Sequence, residues 1–177
     1  SINCFRNIKS ICFVSFIAWF ALSGCAALNE TWLAITGEEE EQSAQELAWT
    51  AMDYYEGGDY ARAIEKFEKL KDWFPFSRYA ILAELKIGDA NYELEKYEEA
   101  IFAYEEFEKL HPRNEAIPYV IYQIGRSYYD QIDTIDRDQN PARKALETFQ
   151  RLMKQFPKDQ YARAAEDHIN KCYKSLS

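Results

Sequence analysis

Three dipeptides, Phe74-Pro75, His111-Pro112 and Phe156-Pro157, punctuate this chain of 177 residues, and the same residue types recur in register between them. The prolines lie 37 and 45 residues apart. Asp59-Tyr60-Ala61-Arg62-Ala63-Ile64 returns as Tyr97-Glu98-Glu99-Ala100-Ile101 and again as Ala142-Arg143-Lys144-Ala145-Leu146. Phe67, Tyr104 and Phe149 follow Ala63, Ala100 and Ala145 by four residues each. Such a recurrence means stacked units, each burying its apolar face against its neighbours. Gly88 and Gly125, with Ala51 in the first copy, fall where two helices of a unit must approach so closely that a side chain would push them apart. Ile87 and Ile124 sit beside them on the core side, and Ala63, Ala100 and Ala145 are the small residues of the second helix. Each proline ends that helix, because it lacks an N–H and disfavours α geometry in the residue before it.

The pattern resembles the tetratricopeptide repeat, whose Ala, Phe and Pro positions it reproduces with a period of 37 in place of 34. The implied fold is all-α: tetratricopeptide-like helix-turn-helix units stacked as a right-handed α-solenoid over residues 44–177. The units run at about 45–75, 82–112 and 118–157, followed by a half repeat from 162. The extra residues are expected between units, in segments such as Phe76-Ser77-Arg78-Tyr79, and the third unit holds an insertion near 131–140. A final helix without a partner would leave apolar surface bare, so the chain reads as truncated at its C-terminus. Composition agrees with helix, with only 6 Gly and 5 Pro.

The first 24 residues read as an address. Arg6 and Lys9 precede the apolar stretch Ile11 to Leu22, which is too short to cross a bilayer but suits a signal peptide. Leu22-Ser23-Gly24-Cys25 then matches the bacterial lipobox: an aliphatic residue, two small residues, and a thiol that accepts the acyl chains. Residues 1–24 are thus expected to be a lipoprotein signal peptide, and 25–43 a lipidated N-terminus and acidic tether containing Glu38-Glu39-Glu40-Glu41. The group implied on Cys25 is a covalent N-acyl and S-diacylglycerol lipid, which anchors a domain without a transmembrane helix. Ala26 after the cysteine favours the outer membrane by analogy. With Cys25 acylated and Cys4 and Cys12 removed, Cys172 is left as a free thiol without an intramolecular disulfide partner.

A closer resemblance rests on the linkers. Phe74-Pro75-Phe76-Ser77-Arg78-Tyr79-Ala80, Leu110-His111-Pro112 with Tyr119 and Tyr122, Asp136-Arg137-Asp138-Gln139 ahead of Lys144-Ala145-Leu146, and Phe156-Pro157 ahead of Tyr161-Ala162 resemble the BamD outer-membrane assembly lipoproteins. The resemblance implies a scaffold on the periplasmic face of the outer membrane, within the BAM complex. Its implied partners are a BamA-like barrel, other assembly-machinery subunits and unfolded outer-membrane protein precursors. The other reading is a periplasmic repeat lipoprotein that coordinates cell-wall synthesis or pilus assembly.

The binding surface is expected along the first helices. Tyr55, Tyr92 and Tyr129 recur four residues after Ala51, Gly88 and Gly125 and should form a ladder, joined by Asp89, Tyr119, Tyr122 and Arg126. Tyrosine buries area while keeping an adaptable hydroxyl, and Arg126 could meet a carboxylate. The alternatives are that the tyrosines pack between helices, and that Arg126 pairs with an acid such as Asp89. A net charge of −9 lacks the basic footprint of a nucleic-acid binder. His111 and His168 stand alone, so no metal is expected, and Asp136-Arg137-Asp138 lacks the spacing and glycine of a calcium loop. No nucleophile elbow, phosphate loop or dinucleotide fingerprint appears, so the chain does not read as an enzyme.

Overall fold

The structure, a computed structural model, describes Glu41 and residues 43–132 and 139–176. The signal-peptide reading and all of the tether but Glu41 and Ser43, Cys25 among them, lie outside the described residues, as does most of the insertion. Seven helices and no strand occur among the described residues: α1 (43–56), α2 (Tyr60–Trp73), α3 (Arg78–Glu93), α4 (Tyr97–Leu110), α5 (Ile117–Asp130), α6 (Asn140–Gln155) and α7 (Gln160–Leu176). Each helix from α2 onward packs on the next, and α5 also packs on α7, so successive first helices meet.

The second helices α2, α4 and α6 end before the prolines. Phe74, His111 and Phe156 cap them, each N–H reaching the carbonyl four residues back at Leu70, Phe107 and Leu152. The first helices start earlier than the repeat register suggests: α3 begins at Arg78, so Arg78 and Tyr79 form its first turn and are not linker. Tyr79 is partly buried and packs against the N-terminal core, which explains why the helix extends backward to hold it.

Two apolar clusters make up the core. Ala44, Ala48, Ala51, Ala63, Phe67, Leu70, Ala83 and Ile87 join α1 to α3. A larger one from Ala100 to Cys172 joins α4 to α7 around Tyr104, Phe107, Ile121, Ile124 and Phe149. The glycines do what their register predicts. A Cβ on Gly88 would lie 2.6 Å from the ring of Tyr104, and one on Gly125 would lie 2.5 Å from the ring of Phe149. Cys172 is buried in the second cluster as a free thiol, and burial raises its pKa, so it acts as a small apolar residue.

The turns inside the first two units are built alike. Asp59 N–H bonds to the Tyr54 carbonyl and Lys96 N–H to the Asn91 carbonyl, at 2.8 and 2.9 Å, which closes a Schellman-type helix end. That end requires a left-handed residue. Gly58 fills the position in the first unit at φ 78°, whereas the second unit has Glu95 at φ 59°. A side chain in this region costs about 1–2 kcal/mol. Glu95→Gly is therefore expected to raise stability by about 1 kcal/mol, read as a higher urea midpoint at unchanged m-value; no increase would show that the turn carries no strain.

Candidate ligand-binding groove

Most of the groove residues expected from sequence meet in one hydrogen-bonded network on α3 and α5. Asp89, only 4% exposed, is its centre. The Tyr104 and Tyr119 hydroxyls both donate to its Oδ1 at 2.8 Å, and Lys86 Nζ pairs with its Oδ2 at 2.8 Å. Gln123 Nε2 donates to the Tyr104 oxygen at 3.3 Å, and its Oε1 accepts from Arg126 at 3.4 Å. Arg126 NH2 donates to the Tyr92 hydroxyl at 2.5 Å, and that hydroxyl donates to Asp130.

The alternative pairing of Arg126 with Asp89 is thus corrected. Its carboxylate is Asp130, one turn along α5 at 4.0 Å, while Asp89 is taken by Lys86 and two phenols. Two cations also lie over tyrosine faces: Lys86 is 4.6 Å from the Tyr55 ring centre and Arg126 4.7 Å from that of Tyr92. Each cation comes from the first helix of the following unit, though from different repeat positions, Lys86 two residues before Gly88 and Arg126 one after Gly125. Tyr55 and Tyr92 further pack edge-on against Tyr60 and Tyr97, which start the second helices of their units.

The third rung of the ladder differs. Tyr129 packs edge-on against His168 of α7, with ring centres 4.9 Å apart. Tyr122 approaches the same imidazole, its hydroxyl 3.3 Å from Nε2, and Phe149 stacks on it at 5.2 Å. Tyr119 and Tyr122 both touch Tyr161. The phenols are held as neutral donors. Burial first, then the Asp89 carboxylate, raises the pKa of Tyr104 and Tyr119; burial and the bond to Asp130 raise that of Tyr92. Tyr55 is pushed up to about 12 by burial, then by Asp89 and Glu93.

Lys86, Tyr104, Gln123, Asp130 and His168 were missed by the sequence reading. One signal was present: Tyr104 occupies the slot that carries Phe67 and Phe149 in the other units, and a hydroxyl placed in a core needs an acceptor.

His168 gives a pH prediction. Burial, then Lys171 and Arg126, hold its pKa below the ordinary histidine value against the smaller opposing pull of Asp130 and Asp167. Its Nδ1 is buried and has no hydrogen-bond partner among the described residues. Below about pH 6.5 the unfolded chain protonates this histidine before the folded one does, so stability falls as the pH drops through that window. The urea midpoint is expected to decrease between pH 7.5 and 5.5, and His168→Phe should reduce that decrease. An equal decrease in the variant would rule His168 out as its source.

Along the first helices the tyrosine rings, the two cations and the carboxylates of Asp89 and Asp130 thus satisfy one another. No group of three or more potential metal ligands occurs among the described residues. Fold and groove together define a tetratricopeptide-type repeat scaffold. The tetratricopeptide domain of P58(IPK) superimposes with a TM-score of 0.60 at 17% identity, covering 80% of this chain and 36% of that one.

The chain belongs to the YfiO family of outer membrane lipoproteins, whose model matches residues 40–177. The outer membrane protein assembly factor BamD of Neisseria gonorrhoeae is 29% identical over 171 residues, covering 88% of this chain and 62% of its own length. That of Pasteurella multocida is 26% identical over 170 residues, covering 90% and 62%. This chain therefore spans about six tenths of the length of these relatives. The relatives are named as outer membrane protein assembly factors, and no described helix is long and apolar enough to cross a membrane.

Proposed function

We propose that this chain is a lipid-anchored scaffold of the outer-membrane β-barrel assembly machinery, helping β-barrel proteins insert and assemble. The observation that carries the reading is the family match over residues 40–177, together with relatives named as assembly factors. Cys25 at the end of Leu22-Ser23-Gly24-Cys25 is the acyl acceptor, and holds the repeats on the periplasmic face of the outer membrane. The partners are a BamA-like barrel, other subunits of the machinery, and unfolded precursors. No step calls for catalysis: the scaffold acts by binding.

Precursors bind along the first helices, where Tyr55 and Tyr92 carry stacked cations and Asp89 fixes the hydroxyls of Tyr104 and Tyr119. Purifying the tagged full-length product from the envelope in detergent tests the assignment. A BamA-like barrel in stoichiometric amount is expected; cell-wall or pilus proteins in its place would overturn it.

The groove has its own test. Tyr92→Ala combined with Tyr129→Ala is expected to reduce crosslinking to barrel-precursor peptides about tenfold, equivalent to roughly 1.4 kcal/mol. Far-UV circular dichroism should show helicity retained. Undiminished crosslinking would mean that these rings only pack.

A further inference from the structure

We infer that the groove between α2 and α4, floored by α3, is a docking surface for a cationic amphipathic helix of a partner protein. This groove is formed by second helices and does not depend on the reading of the first-helix groove. It encloses a cavity of about 680 Å³, within the range of ~300–1,000 Å³ in which proteins hold ligand-sized groups.

Ile87 and Phe107, with Ala103 between the helices, form an apolar strip along its floor, beside Asn91 and Glu84 of α3. Its edge carries Phe102 and Leu110, 68% and 58% exposed. Phe102 breaks the repeat register: the first and third units have Glu65 and Glu147 at that position on α2 and α6. A phenylalanine placed where its sister units put a charge, beside a cavity, is an anchor for something apolar.

The rim fixes the charge of that partner. Glu68, Glu84, Glu98, Glu99 and Glu106 line the groove against a single lysine, Lys71. Glu84 is matched by His111, Glu68 by Lys71 and Glu106 by Lys109, whereas Glu98 and Glu99 have no ion-pair partner among the described residues. An apolar floor between acidic rims complements a helix with one apolar stripe flanked by lysines or arginines. A second copy of this chain, with a net charge of −9, brings the wrong sign.

The next groove along the stack is smaller, about 270 Å³, and carries cations of its own. Between α4 and α6, Arg151 reaches both oxygens of Glu108 at 2.5 and 3.1 Å, and Lys144 lies 5.1 Å over the Tyr128 ring. There the chain's own cations meet Glu108 and Tyr128. Between α2 and α4, Lys71, Lys109 and His111 answer Glu68, Glu106 and Glu84, while Glu98 and Glu99 have no ion-pair partner among the described residues and Phe102 stays exposed; a partner's cationic helix supplies what these three need.

The test uses the full-length protein and a fluorescent lysine–leucine peptide patterned as an amphipathic helix. Phe102→Glu and the pair Glu98→Gln with Glu99→Gln are each expected to weaken binding at least about tenfold, with helicity retained because these side chains are exposed and glutamine puts no positive charge on the first turn of α4. A glutamate–leucine peptide of the same pattern should fail to bind. Equal binding by wild type and these variants would overturn the proposal, as would loss of binding by Tyr92→Ala to the same degree. A photocrosslinker at position 102, used in intact cells, names the natural occupant. A captured segment that is cationic and amphipathic at helical spacing supports the proposal, and capture of an acidic segment or of a second copy overturns it.

Discussion

In a urea titration, Phe149→Ala is expected to cost about 3–5 kcal/mol, as truncation of a buried aromatic usually does. Phe149 is fully buried, stacks on His168 of α7, contacts Tyr122 of α5, and fills the space above Gly125. Removing it opens a cavity where α5, α6 and α7 meet. The cores of α1–α3 and α4–α7 are separate clusters, so the N-terminal units are expected to outlast the C-terminal ones and broaden the transition. Gly125→Ala alone places a Cβ 2.5 Å from the Phe149 ring. Overpacking of that kind costs about 1–3 kcal/mol, against a helix-propensity gain of about 1 kcal/mol for alanine over glycine. On the Phe149→Ala background the obstacle is gone and only the gain remains, so Gly125→Ala should then stabilise. If the two substitutions proved additive, close helix approach would not be the reason glycine stands at 125.

That prediction rests on residues whose spacing alone exposes their role. Ala63, Ala100 and Ala145 each stand four residues before an aromatic ring, and Gly88 and Gly125 each stand where such a ring closes on the helix, because one repeat has to pack on the next with the same geometry. A constraint that repeats along the chain is legible without coordinates. The start of α3 at Arg78 was less so, since nothing in the repeat register announces that Tyr79 will be drawn into the N-terminal core. The groove residues were legible as a set, for Tyr55, Tyr92 and Tyr129 do recur. Their partners were not. The sequence offers Arg126 several acids, and only the way α5 lies against α3 decides that Asp130 and Tyr92 receive it while Lys86 takes Asp89. The third rung broke the pattern for a similar reason, because His168 arrives from α7.

Asp89→Ala should be the most damaging polar substitution in the chain. It leaves the Tyr104 hydroxyl, buried inside the stack, with Gln123 and the Tyr119 hydroxyl as its polar neighbours, and it strips Lys86 of its ion partner. Removing one member of a buried charged pair costs about 3–5 kcal/mol. Lys86, with 22% of its side chain exposed, can turn partly to water, which places the expected loss near the lower end of that range. Asp89→Asn keeps an acceptor in place and should cost about 1–2 kcal/mol. Tyr104→Phe should cost about 1 kcal/mol, since phenylalanine already fills that slot at Phe67 and Phe149. The decisive comparison is the pair Asp89→Ala with Tyr104→Phe. It should lose less than the sum of the single changes, because the second substitution removes the hydroxyl that the first one orphans. A loss equal to the sum would mean that Asp89 stabilises the stack through Lys86 and Tyr119 alone. In that case its chief effect on the groove would be to hold the lysine over Tyr55, and Lys86→Met should reproduce it.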